Sequence, residues 1–134
     1  MPVVLDVLCS CEPDYTISYL ELSFNSELTT VPLYSPRRSR GAVLHFFDPS
    51  GSPRARVREF LESGYHVLSL PLEPGQTRGF TAGELMDIAS AHASLIDEAP
   101  PGRSYVSISP EHLYLGADLA RRIGADLICI FPED

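Results

Sequence analysis

Two short segments hold the side chains best suited to chemistry. The first is Phe47-Asp48-Pro49-Ser50-Gly51-Ser52-Pro53-Arg54. An apolar run precedes it and a helical pattern follows, so it reads as a turn from a strand into a helix. Free N–H groups at a helix start, with the positive end of the dipole, favour phosphate or carboxylate. Ser50, Gly51 and Ser52 are small enough to let an anion approach, and Arg54 would add a forked, charge-assisted contact. Asp48 is the candidate acid or base. The second segment is Ser107-Ile108-Ser109-Pro110-Glu111-His112. Ser109 is expected to cap a helix opened by Pro110, with His112 in its first turn. The dipole disfavours a cation there, and a neutral imidazole suits general-base work on a neighbouring hydroxyl or water. Arg78, in the loop Glu73-Pro74-Gly75-Gln76-Thr77-Arg78-Gly79, is the third anion contact and would close over a ligand. Each group also has a plainer reading, as an Asp-Pro turn, a helix cap and a solvated connection.

The spacing Asp48-x-Ser50-x-Ser52 resembles the metal-site motif of von Willebrand factor A domains. That resemblance implies Mg²⁺ held by these side chains, directly or through water. It covers five residues of 134. The family's threonine from a later loop has candidates in Thr77 and Thr81. Its later aspartate has no counterpart, because Ser109, Pro110 and Glu111 stand at the corresponding strand end. Other chemistries find less. No Gly-x-Ser-x-Gly elbow occurs, so an α/β-hydrolase nucleophile has no motif. No paired histidines stand at zinc-ligand spacing. Cys9-Ser10-Cys11 with Cys129 would form a soft-metal set only if the fold joined them. His45, His66 and His92 read as hydrogen-bonded structural histidines.

Charge and composition narrow the classes further. The chain has 18 acidic residues against 10 basic ones, a net charge of −8, and every basic residue is arginine. Schiff-base and P-loop lysine chemistry are thereby excluded. An acidic surface makes nucleic acid an unfavourable partner, since phosphate neutralisation supplies most non-specific affinity. Three cysteines are not a disulfide framework. Neither a signal peptide nor an apolar run of membrane-spanning length is legible, so a cytoplasmic address without membrane contact is expected.

The elements that must position these groups follow from periodicity. Val3–Leu8 reads as a short strand. Thr16–Phe24 alternates as a half-buried strand, and Leu28–Tyr34 returns as its hairpin partner, which Pro32 would put at a sheet edge. From residue 42 the pattern becomes β-α-β-α-β-α-β. Strands are expected at 42–47, 65–70, 105–108 and 126–131. The first helix is capped by Ser52, opened by Pro53 and ended by Gly64. The second starts at a Thr81–Glu84 capping box, and the third ends at Gly124. Strands alternating with helices imply a parallel sheet with right-handed crossovers. The expected fold is therefore a single α/β domain over 1–134. It is a Rossmann-like three-layer sandwich with a mostly parallel sheet, and the strands of residues 1–41 either extend that sheet or add an antiparallel edge to it.

Open parallel sheets bind ligands beyond the carboxyl ends of their strands. The functional expectation is a small domain binding a nucleotide or another phosphorylated or acidic small molecule there, with hydrolase or transferase chemistry. The alternative is a non-catalytic interaction or regulatory subunit. It would present an edge strand near Leu28–Tyr34 to a protein partner or a second copy.

Overall fold

The computed structural model describes residues 15–24, 27–72, 79–99 and 102–129. Among the described residues six strands form one sheet: β1 (Tyr15–Phe24), β2 (Glu27–Pro36), β3 (Gly41–Phe47), β4 (Tyr65–Pro71), β5 (Arg103–Ile108) and β6 (Asp126–Cys129). Among the described residues three α-helices connect them: α1 (Arg54–Glu62), α2 (Ala82–Glu98) and α3 (Leu113–Ile123). A 3₁₀ turn, Pro110–His112, precedes α3. The strand order is β1-β2-β4-β3-β5-β6. β1 and β2 form an antiparallel hairpin, β2 is antiparallel to β4, and β3, β4, β5 and β6 run parallel. The alternating grammar from residue 42 thus becomes the parallel part of the sheet, with the N-terminal hairpin as its antiparallel flank.

One expectation is corrected. β2 is not the sheet edge, because it lies between β1 and β4, and among the described residues β1 is the outer strand on that side. Proline is tolerated inside the sheet because the β2–β4 ladder is only two pairs long, Leu33–Leu68 and Tyr34–Val67. Pro32 stands just outside it, where a missing N–H costs no bond to β4. The expected strand Val3–Leu8 lies outside the described residues.

Alternation along the strands sorts the two faces. Val31 and Leu33 of β2, Leu44 and Phe46 of β3, Leu68 and Leu70 of β4, and Val106 and Ile108 of β5 form the main core with Ile88, Ala91 and Leu95 of α2 and Leu119 and Ala120 of α3. Gly116 lets α3 sit close to the sheet, since a Cβ there would lie 2.5 Å from Ile108 Cγ2 and 2.9 Å from Leu127 Cδ1. The opposite face buries Val43 and Val67 and is covered by α1, whose Phe60 ring meets His45 edge-on at 5.8 Å.

Local signals explain the helix limits. Thr81 and Glu84 form the reciprocal capping box that starts α2. Gly124 ends α3 in the left-handed region at φ 76, a conformation that suits glycine. α1 starts at Arg54, with Pro53 in the cap position, one residue later than the Ser52 cap predicts. Ser52 still accepts the Arg54 N–H on its Oγ at 3.3 Å, because Pro53 has no N–H to offer. No helix among the described residues is long and apolar enough to cross a membrane.

Candidate functional site

The parallel pairing of β3 with β5 decides which loops meet. Val43 opposes Tyr105 and His45 opposes Ser107. The turn after Phe47, carrying Asp48, therefore lies beside the turn after Ile108, carrying Ser109 and His112. The two polar segments of the sequence become one strand-end site.

Within the β5 turn, the Ser109 hydroxyl does not cap a backbone N–H. It lies 3.0 Å from His112 Nδ1 instead. The 3₁₀ turn makes this geometry, since the His112 N–H donates to the Ser109 carbonyl at 3.0 Å and folds the imidazole back over the serine. His112 is only 6% exposed, whereas Ser109 is half-buried. Glu111 Oε1 stands 3.8 Å from His112 Nδ1. A serine with an imidazole in hydrogen-bond reach has the first two parts of a nucleophile–base arrangement.

The β3 turn is built around Asp48. Its Oδ1 accepts the Ser50 N–H at 2.9 Å and the Ser50 hydroxyl at 2.8 Å, while its carbonyl accepts the Gly51 N–H at 2.9 Å. These bonds, the Ser50 amide first, hold the Asp48 carboxyl below the ordinary carboxylate range, and the charge of His112 adds to the effect. Asp48 is therefore a fixed anion near His112, suited to opposing an imidazolium rather than to donating a proton. The turn resembling a Mg²⁺ motif is closed on itself, with the Ser50 hydroxyl donating into Asp48. Among the described residues no group of three or more His, Cys, Asp or Glu side chains is placed to hold a metal ion.

Asp48, Ser50, Ser109 and His112 thus share the β3/β5 end of the sheet. Gly51 and Ser52 lie exposed in the same turn. Arg54 starts α1 on the other side, where its charge acts on the Tyr34 phenol of β2. Arg78, Cys9 and Cys11 lie outside the described residues.

A row of polar side chains below this site was legible only in part. His45, read from sequence as a structural histidine, is bonded through Nδ1 to Ser107 Oγ at 3.0 Å. Burial, with a smaller contribution from the Arg56 charge, pushes its pKa down to about 4. Ser69 lies beside His45 on β4. Ser107 and Ser69 carry no local sequence signal, because their meeting with His45 depends on register.

No family model and no curated protein matches the chain. Solved structures do. An esterase from Pyrobaculum calidifontis is 20% identical, with a TM-score of 0.54 over 93% of this chain and 46% of that one. Carboxyl esterase 2 from the fungus Tuber melanosporum is 13% identical, with a TM-score of 0.53 over 90% of this chain and 45% of that one. A bacterial heroin esterase is 14% identical, with a TM-score of 0.51 over 96% of this chain and 49% of that one. The chain spans less than half the length of these esterases. At such identities the likeness is one of fold: this is a mixed α/β fold whose structural neighbours are α/β-hydrolase esterases.

Proposed function

We propose that this chain carries the centre of an esterase-type hydrolase, with Ser109 as nucleophile and His112 as its base. The observation that supports this reading most strongly is the 3.0 Å contact between Ser109 Oγ and His112 Nδ1 at the end of β5. In α/β-hydrolase folds the nucleophilic serine likewise stands between a strand and a helix. Ser109 Oγ would attack the ester carbonyl carbon while its proton passes to His112 Nδ1. The bond to the alkoxy oxygen then breaks, and His112 returns the proton to the departing alcohol. Water, deprotonated by His112, hydrolyses the acyl-serine and restores both groups. Asp48 would stabilise the transient imidazolium.

A second reading rests on a different observation. Pro110 follows Ser109 directly, and proline has no N–H, so the usual oxyanion donor after the nucleophile is missing. Ser109 is extended, at φ −72 and ψ 155, without the strain of a nucleophile elbow. The Ser50 and Gly51 amides already serve Asp48. These features favour a binding or regulatory module on a hydrolase fold. The two readings separate in one experiment, p-nitrophenyl acetate turnover and fluorophosphonate labelling of the parent and of Ser109→Ala. Hydrolysis and labelling that are both lost in the variant support the enzyme. No labelling, with equal rates in both proteins, supports the module.

A further inference from the structure

Among the described residues β1 is an outer strand of the sheet and pairs with β2 alone. Alternate residues of such a strand turn their N–H and C=O groups away from the sheet, where another strand can pair. The usual guards of an edge are missing here. Tyr15–Leu20 holds no charge and no proline. The register with β2 runs unbroken from Tyr15↔Pro36 to Phe24↔Glu27, so no bulge twists the strand away. The stretch Tyr15-Thr16-Ile17-Ser18-Tyr19 is exposed at every residue, and hence on both faces of the sheet. Tyr15, Ile17 and Tyr19 share the α1 face, at 36%, 44% and 67% exposure. Burial begins only further along the strand, where Leu20 and Leu22 join the core.

The exposed stretch is also a palindrome in residue type about Ile17: aromatic, hydroxyl, β-branched, hydroxyl, aromatic. We propose that β1 pairs antiparallel with β1 of a second copy of this chain, on a twofold axis at Ile17, so that two sheets become one. A twofold contact is self-complementary, and this palindrome meets that demand. Tyr15 stands opposite the partner's Tyr19, Thr16 opposite the partner's Ser18, and Ile17 opposite the partner's Ile17. Aromatic pairs and Thr–Ser pairs are among the cross-strand combinations that stabilise a sheet. Tyr15 already leans on Tyr34 of β2, with ring centroids 6.1 Å apart, so it loses less side-chain freedom on pairing. Charge selects this edge for a second copy. The chain carries a net charge of −8, which opposes self-association over most of its surface, whereas the five paired residues are uncharged. Glu21 is the acidic residue of β1. With the axis at Ile17, the Glu21 residues of the two copies fall at opposite ends of the contact, about 27 Å apart along the strands.

Sedimentation equilibrium of the whole chain tests the contact. Between about 1 µM and about 1 mM, the weight-average mass of the parent is expected to rise from 14.7 kDa towards twice that value. Ile17→Lys sets two ammonium groups face to face on the axis, and Ile17→Glu sets two carboxylates there. Each variant should keep the monomer mass. Mixed in equal amounts, the two should dimerise again, because the axis then carries opposite charges, and that rescue shows both to be folded. A parent that stays monomeric overturns the proposal, whether the edge is left open or residues 1–14 of the same chain take it. So does either variant dimerising alone as the parent does, or a mixture of folded variants that stays monomeric. Amide exchange at residues 15–19 of the parent should also slow as concentration rises. Exchange that is independent of concentration overturns the proposal without recourse to any variant.

Discussion

His45 and Ser107 face each other across the β3–β5 ladder and are joined, Nδ1 to Oγ, at 3.0 Å inside the sheet. This bond lies two residues below the turns that carry Asp48 and Ser109. It couples the two strand ends on which the candidate site depends, and it places a titratable ring where its charged form is disfavoured. Four expectations follow from this and neighbouring features.

Stability should fall on mild acidification. The His45 ring titrates near 6.5 when unfolded and at about 4 when folded. Between those values the unfolded chain binds more protons, so stability rises with pH across that window and is lost as pH drops from 6.5 towards 4. The shift corresponds to roughly 3 kcal/mol at most. His66 and His92 are also lowered by burial and act in the same direction. Melting temperatures of the parent and His45→Gln at pH 7, 5.5 and 4.5 isolate the His45 share. The difference between the two proteins should shrink as pH falls, and a constant difference would remove the assignment.

Restoring a donor after Ser109 should raise hydrolysis. Pro110→Ala supplies the missing N–H, and a single oxyanion donor is worth about 10²–10³ in kcat where the geometry is good. The extended serine makes a smaller gain realistic, about tenfold or more in p-nitrophenyl acetate turnover. An unchanged rate would indicate that Ser109 does not attack the carbonyl.

Gly116→Ala should destabilise the protein. The added carbon would press on Ile108 and Leu127, both of which already pack against the core. Overpacking of this kind costs about 1–3 kcal/mol, readable as a lowered urea midpoint. A midpoint equal to the parent's would show that α3 can move away without penalty.

Thr81→Ala should remove one arm of the capping box that starts α2. The Glu84 N–H would lose its acceptor, now 3.1 Å away, at a cost of about 1 kcal/mol. Helix-specific hydrogen exchange should quicken in the first turn. Unaltered protection of the Glu84 amide would mean that water replaces the hydroxyl without loss.

The local elements were legible in the residues alone. The strands of the alternating part, the Thr81–Glu84 box and the Gly124 stop are written in nearest-neighbour chemistry, where side-chain periodicity and capping bonds act within a few residues. The same locality put Ser109 and His112 in one turn and Asp48 in another. What sequence could not supply was order. Pro32 suggested an edge for β2, yet β2 is interior because its ladder to β4 is too short to reach the proline. Ser109 looked like a backbone cap, yet its hydroxyl turned to His112 because a 3₁₀ turn, rather than an α-helical one, follows it. The fold shared with the esterase structures left no motif, because a fold resides in strand order, here β1-β2-β4-β3-β5-β6, and not in any run of residues. The union of the β3 and β5 turns, and the Ser69–His45–Ser107 row below them, come from register between strands up to some sixty residues apart. Such contacts are set by how whole faces bury against α1, α2 and α3, and only the folded sheet decides them.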